Sequence, residues 1–281
     1  MLRFAKYHGL GNDFILIDGL SARAPEIGTQ EAIRLCDRHF GIGAYGVLLA
    51  LPSTKADYRM RLLNSDGSEP EMCGNGIRCL AQFVWDEGLI HKTEMTVETL
   101  AGIMRPRLSV ENRRVTGVSV ELGKPLLLAR DVPTTLVAPE ARALDVPLDV
   151  DGTTWRVTAL YIGVPHCVVL VADVEDVDRQ SIGPRIEHHP VFPRKTNVMF
   201  TQILAPDHLL VRSWERGAGA TLACGTGACA AVVATVLMGR AERDARVTLP
   251  GGTLQVQWDA GSDEITLTGP AQRVFAGVMG E

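Results

Sequence analysis

Two short stretches of this chain carry residues suited to moving a proton on and off carbon. Residues 215–230, Glu-Arg-Gly-Ala-Gly-Ala-Thr-Leu-Ala-Cys-Gly-Thr-Gly-Ala-Cys-Ala, set a charged pair ahead of a glycine-rich turn and a cysteine, Cys224. From Gly225 to Met238 there is neither proline nor charge, so the pattern predicts a buried helix with Cys224 at or just before its N-terminus. The first N–H groups of a helix have no internal partners and carry the positive end of the macrodipole. A thiol there is pushed towards thiolate, and an anionic group beside it is held by the same N–H groups.

The second stretch repeats this grammar upstream. Asn64-Ser65-Asp66-Gly67 leads to Cys73-Gly74-Asn75-Gly76-Ile77-Arg78-Cys79 and an apolar-rich run to Trp85. Asn64 stands nine residues before Cys73, and Glu215 stands nine before Cys224. Each Cys-Gly-x-Gly follows a predicted strand, over 58–63 and 208–214. One such motif is weak; two in register, about 150 residues apart, predict duplicated halves that face each other.

Two helix-capping thiols aimed at one carbon could invert it without a cofactor. One, as thiolate, removes a proton, and the other, as thiol, delivers a proton to the opposite face. The bond best suited to this is a weakly acidic Cα–H next to a carboxylate. Charge developing on that carboxylate could be met by the N–H groups of Gly74, Asn75, Gly225 and Thr226. Donors of this kind contribute ~3–4 kcal/mol each in measured cases. General acid–base catalysis alone contributes roughly 10²–10⁴-fold, so the donors are required.

The elements that must position these residues follow from length and pattern. A chain of 281 residues, at roughly 150 per domain, suggests two domains. Its 46% hydrophobic and 22% charged residues are ordinary for a globular protein. A net charge of −5 and the lack of a long Lys/Arg cluster argue against nucleic acid as partner. The opening Met1-Leu2-Arg3-Phe4-Ala5-Lys6 has no signal-peptide core, and the longest apolar run, 228–239, is too short to span a bilayer. A cytoplasmic location is expected, with no membrane association. The six cysteines form no Cys-x-x-Cys pair, so thiols are expected in place of disulfides or a metal site.

In chain order, strands are predicted over 3–8 and 13–18 about the turn Gly9-Leu10-Gly11-Asn12, then a helix over 31–39 and a strand over 47–51. Gly41-Ile42-Gly43-Ala44-Tyr45-Gly46 spells G-x-G-x-x-G but follows a helix and enters a strand, the reverse of a dinucleotide fingerprint. Strands are predicted near 94–99, 103–110 and 115–122, and residues 123–152 read as a crossover. The second half begins with a strand over 155–161, the turn Gly163-Val164-Pro165-His166 and a strand over 167–171. A helix over 179–188, strands over 196–203, 246–249, 253–258, 264–268 and 272–278 complete the pattern. Asn12 in a glycine turn, His166 beside a proline and Glu215-Arg216 as a charged pair would each, alone, be ordinary structure.

Taken together, His8-Gly9-Leu10-Gly11-Asn12-Asp13-Phe14, Asn64-x-Asp66-Gly67-Ser68-Glu69, the two cysteine motifs, Pro165-His166-Cys167-Val168 and Glu215-Arg216-Gly217-x-Gly219 closely resemble the diaminopimelate epimerases. The resemblance runs from the N-terminus to the final strands. It implies a mixed α/β (α+β) fold of two pseudo-symmetric domains, each a curled mixed β-sheet around a central helix, with the active site in the cleft between them. The implied domains are 1–120 with Cys73, completed by a C-terminal strand at about 266–281, and 121–265 with Cys224. It also implies a homodimer that interconverts LL- and meso-diaminopimelate for lysine and peptidoglycan precursors, with no cofactor and no metal. Cys73 and Cys224 match the catalytic pair, and Gly74, Asn75, Gly225 and Thr226 match the backbone donors. Asn12, Asn64, Asn197, Glu215 and Arg216 match substrate-gripping side chains, the last four at the distal end, and His166 an auxiliary to thiol deprotonation.

Three positions depart from that pattern: Tyr45 stands for an Asp, Val164 for an Asn that meets the distal carboxylate, and Ala220 for a Glu. Losing one polar partner there costs roughly 1–3 kcal/mol if nothing replaces it. These departures leave the chemistry intact and bear on the substrate. Two other readings follow: a related racemase of a different amino acid, and a thiol-redox or ligand-binding protein using Cys73 and Cys224 as a reversible pair.

Overall fold

The structure is a computed structural model that describes residues 1–21 and 25–280. The chain divides into two compact units, Met1–Glu121 with Thr268–Glu281, and Leu122–Leu267. The first contains β1 (Leu2–Gly9), β2 (Asn12–Asp18), α1 (Thr29–Cys36), β3 (Gly46–Leu51), β4 (Tyr58–Asn64), α2 (Gly74–Asp86), β5 (Val97–Thr99), β6 (Gly102–Met104), β7 (Arg107–Glu111) and β8 (Arg114–Glu121). The second contains β9 (Val146–Val150), β10 (Thr153–Ile162), β11 (Val164–Leu170), α3 (Arg179–Glu187), β12 (Asn197–Ala205), β13 (His208–Glu215), β14 (Gly219–Ala220), α4 (Gly225–Leu237), β15 (Asp244–Leu249) and β16 (Gly252–Trp258). The chain leaves it through β17 (Ile265–Gly269) and ends in β18 (Gln272–Met279), which belongs to the first unit.

The two units share one internal plan. In the first, β1–β2 and β3–β4 are antiparallel pairs, while β2–β3 and β4–β5 are parallel. In the second, β10–β11 and β12–β13 are antiparallel, while β11–β12 and β13–β15 are parallel. Parallel neighbours need a crossover, and a helix supplies each one: α1 and α2 in the first unit, α3 and α4 in the second. The fold is therefore mixed α+β in two pseudo-symmetric halves. Their edges differ, since β1 pairs with the C-terminal β18 whereas β10 pairs with β9.

Each cysteine-led helix is the centre of its unit. Helix α2 packs against β1, β2, β3, β4 and β8, and α4 against β10, β11, β12, β13, β15 and β16. A single helix touching that many strands requires the sheet to curl around it. The sequence of α4 permits this, because Gly, Ala, Val and Cys line every side and ten of its 13 residues are buried. Its one buried hydroxyl, on Thr235, donates back to the Ala231 carbonyl at 2.8 Å, so burial leaves it satisfied. Strand β3, Gly-Val-Leu-Leu-Ala-Leu, is buried along its whole length, as expected of a strand covered on both faces.

Four local expectations shift. Helix α1 stops at Cys36, not His39, because the Asp37 carboxylate accepts the N–H groups of His39 and Phe40, each at 2.7 Å, and forms a turn in place of helix. The strand expected over 103–110 is split into β6 and β7 at Arg105-Pro106, where proline has no N–H for a ladder. The crossover of 123–152 contains β9, whose Pro147 is tolerated on a sheet edge. The turn expected over 163–166 contracts to Gly163 (φ 69°), and β11 begins at Val164 and includes His166. Val164 thereby opens β11 as Asn12 opens β2.

Gly46 pairs with Asn64, the last residue of β4, and a Cβ at Gly46 would lie 2.8 Å from the Leu63 carbonyl oxygen. Backbone cannot yield as a side-chain tip can. Gly46→Ala is expected to destabilise the protein by about 1–3 kcal/mol, read as a lower urea midpoint at unchanged m.

Candidate active site

In the first unit the sequence-predicted residues gather at the N-terminus of α2. Cys73 is the N-cap, in extended conformation, and its sulfur accepts the N–H of Gly76 at 3.4 Å. Gly74 and Asn75 are the first two helical residues, so their N–H groups have no acceptor within the helix. Asn75 is buried, and Gly9 of the neighbouring β1–β2 turn lies against it and against Arg78. Asn12 opens β2 opposite Gly9, which brings the start of β2 beside the helix N-terminus. Asn64 closes β4, and its side-chain amide donates to Ser68 at 2.9 Å in the loop that leads to Cys73.

The second unit repeats the cap more deeply buried. Cys224 is 4% exposed, accepts the N–H of Gly227 at 3.3 Å and lies 3.7 Å from the Thr226 hydroxyl. Gly225 and Thr226 begin α4 as Gly74 and Asn75 begin α2. Gly227 is required by packing, because a Cβ there would overlap the Met199 sulfur and come within 3.0 Å of the Cys224 sulfur.

Glu215 ends β13 with its carboxylate beside the Cys224 thiol, and the Thr221 hydroxyl donates to the same carboxylate. Burial raises the Glu215 carboxyl, and those two neighbours pull it back. Burial also pushes the Cys224 thiol well above the ordinary cysteine range, the Glu215 charge adds to the rise, and Gly227 and Thr226 oppose it. At Cys224, burial beside a carboxylate therefore opposes the push towards thiolate expected of a helix N-terminus. About half a unit charge at the helix end does not offset taking a thiolate out of water beside a carboxylate. Glu215 also stands at the thiol, a placement that the distal-end role expected from the resemblance does not describe.

Arg216, Asn197 and His166 form the adjoining cluster. Asn197 opens β12, is buried, and accepts the Arg216 backbone N–H at 2.8 Å, while the Arg216 guanidinium donates to the Arg194 carbonyl at 2.9 Å. His166 lies beside Asn197 in the β11–β12 ladder and is fully buried. Burial, then the Arg216 charge, lowers it to about 3 against a smaller pull from the Ile162 backbone, so the ring is neutral at pH 7.

Three supporting residues fall outside the sequence-predicted set. The Glu187 carboxylate of α3 accepts the Trp214 indole N–H at 2.8 Å and the Gly217 N–H at 3.2 Å, gripping both flanks of Glu215-Arg216. Nothing local marks Glu187, in a polar helix with an internal proline. Thr221, the acceptor's partner at Glu215, had a signal in its place just after the glycine turn. Arg78, inside the first motif, is fully buried.

No disulfide joins the six cysteines. Among the described residues, no three His, Cys, Asp or Glu side chains are grouped to hold a metal ion, and no helix is long and apolar enough to cross a membrane. A hollow of about 790 Å³ lies along β1, β2 and β18, and no predicted site residue lines it.

With this geometry in hand, the family model of diaminopimelate epimerase matches residues 4–128 and 158–274. The chain belongs to the diaminopimelate epimerase family. Diaminopimelate epimerase 1 of Nostoc sp. (strain PCC 7120) is 53% identical over 281 residues, covering 99% of both chains. The diaminopimelate epimerase of Synechocystis sp. (strain PCC 6803) is 54% identical over 278 residues, covering 98% of both. Among solved structures, a probable proline racemase from Agrobacterium radiobacter K84 aligns at TM-score 0.71 and 18% identity over 100% of this chain and 93% of that one. A hydroxyproline epimerase from Agrobacterium vitis aligns at 0.69 and 16%, over 98% and 90%. At those identities the likeness is one of fold. Both caps fall inside the segments matched by the family model, whereas β9 lies outside them.

The Glu215–Cys224 contact has a readable consequence. Glu215→Gln removes the charge that helps hold the thiol protonated, so the Cys224 titration midpoint is expected to fall. Iodoacetamide labelling of Cys224 followed across pH checks this; an unchanged or raised midpoint contradicts it.

Proposed function

We propose that the protein is an isomerase that interconverts LL- and meso-diaminopimelate by proton exchange at one α-carbon, in the supply of lysine and peptidoglycan precursors. The observation that carries the reading is the pair of cysteine N-caps at equivalent points of the two halves, each sulfur accepting the N–H three residues on, in a chain of this family.

Cys73 and Cys224 are the two bases. In one direction Cys73, as thiolate, takes the α-proton, and the bonding pair spreads onto the adjoining carboxylate. Cys224, as thiol, returns a proton to the carbon. Glu215 holds Cys224 in the form that this direction needs, and burial of the thiol beside that carboxylate supports the role. The Cys224 thiolate left behind accepts the Gly227 N–H and begins the reverse reaction. The N–H groups of Gly74, Asn75, Gly225 and Thr226 receive the charged carboxylate, where preorganised donors act most strongly. Asn12, Asn64, Asn197 and Arg216 bind the rest of the substrate, and buried His166, neutral, is an auxiliary beside Asn197. No pyridoxal phosphate or metal takes part, and the working form is a cytoplasmic homodimer.

Reduced protein in deuterium oxide with LL-diaminopimelate tests the reading. Deuterium at Cα together with the meso isomer is the expected result. Absence of exchange with both thiols reduced sinks it, and better turnover of another amino acid moves the substrate. Cys73→Ser and Cys224→Ser are each expected to keep the fold and lose at least about 100-fold in epimerisation rate; near-normal rate in either removes the two-base mechanism.

A further inference from the structure

The N-terminus of α2 contains a charge that the mechanism above does not use. Arg78 is fully buried, and its side chain folds back along the helix to the first turn. One terminal nitrogen donates to the Gly74 carbonyl at 3.0 Å and the other to the Asn75 side-chain oxygen at 2.6 Å. These are the two residues whose N–H groups follow the Cys73 cap. On the strand side the same guanidinium meets Gly9, where a Cβ would lie 3.2 Å from its nitrogen. Gly9 pairs with Asn12 across the β1–β2 turn. One rigid planar fork thus fixes the carbonyl of the first helical residue, the side chain of the second and the approach of the turn carrying Asn12. The equivalent position in α4, five residues after its cap, is the buried apolar Cys229, so the arrangement belongs to one half alone.

We infer that Arg78 is a positioning residue for the epimerisation: it fixes the Gly74 and Asn75 N–H groups and places a buried positive charge behind them, where the reacting carboxylate gathers negative charge. Burying a guanidinium is costly, and hydrogen bonds to both of its ends recover part of that cost. A lysine would keep the charge but, as a point donor, could not hold both partners in one geometry. An apolar residue would keep neither.

The inference rests on the epimerase reading for its substrate, and the test separates the two. Arg78→Lys and Arg78→Met are compared with the parent protein for kcat and KM on LL-diaminopimelate, with circular dichroism and thermal midpoints to establish folding. Arg78→Lys is expected to keep KM within about twofold while kcat falls roughly tenfold, the split expected when charge stays and alignment goes. Arg78→Met is expected to lose about a hundredfold in kcat/KM, with KM raised. Should Arg78→Met not fold, Arg78→Lys decides alone. Either variant, folded and with kcat and KM within twofold of the parent, overturns the inference; so does a loss that only tracks the folded fraction. If the parent itself does not turn over LL-diaminopimelate, the epimerase reading fails on its own. The Arg78 role is then decided without substrate by the iodoacetamide labelling rate at Cys73, expected to be several-fold slower in Arg78→Met and overturned by an equal rate.

Discussion

A helix that begins inside a protein core has N–H groups that must find acceptors, and most of this structure depends on how that requirement is met. At both α2 and α4 the cap is a cysteine sulfur, a weak acceptor, at 3.4 and 3.3 Å from the amide three residues on. Serine or aspartate in that place would satisfy the amide more fully. Sulfur leaves the helix end receptive to an anion and brings a group that can exchange a proton. The glycines follow from the same constraint. Gly76 and Gly227 sit directly against the capping sulfurs, and at Gly227 a side chain would displace both Cys224 and Met199.

The two caps share geometry but not electrostatics. Cys224 is buried beside a carboxylate, which keeps it a thiol, whereas a buried guanidinium lies behind the first turn that follows Cys73. Duplication of the fold therefore did not duplicate the charge. The two charged residues that make this difference, Glu215 and Arg78, lie at non-equivalent points of the repeat, one at a strand end and one inside a helix.

The three departures from the family pattern have local physical accounts. Tyr45 packs edge-on against Phe14, with ring centroids 5.9 Å apart, and its N–H donates to the Asp13 carbonyl at 2.8 Å. Asp13 is held low by Lys6 and Arg38, so one carboxylate is shared by two cations. Ala220 is exposed on the two-residue strand β14, paired with Trp214. Val164 is a half-buried apolar residue opening β11. Of the three, only Val164 stands at the start of a strand, the one equivalent to the strand that Asn12 opens.

The sequence by itself determined the repeat, the two capped helices and the family, because each is local. A Cys-Gly-x-Gly after an apolar run, nine residues beyond a polar strand end, specifies its geometry within about 25 residues of chain. The same pattern singled out Glu215 and Arg216, and the family resemblance Asn197, though neither says what each side chain touches. The tertiary structure alone decided the charges. Burial of Cys224, the contact from Glu215 and the neutrality of His166 arise from residues brought together by sheet curvature, and desolvation is a property of the whole surrounding core. Glu187 shows the limit most plainly. Its carboxylate holds Trp214 and Gly217, 27 and 30 residues away, and no pattern in a polar, proline-containing helix could announce that.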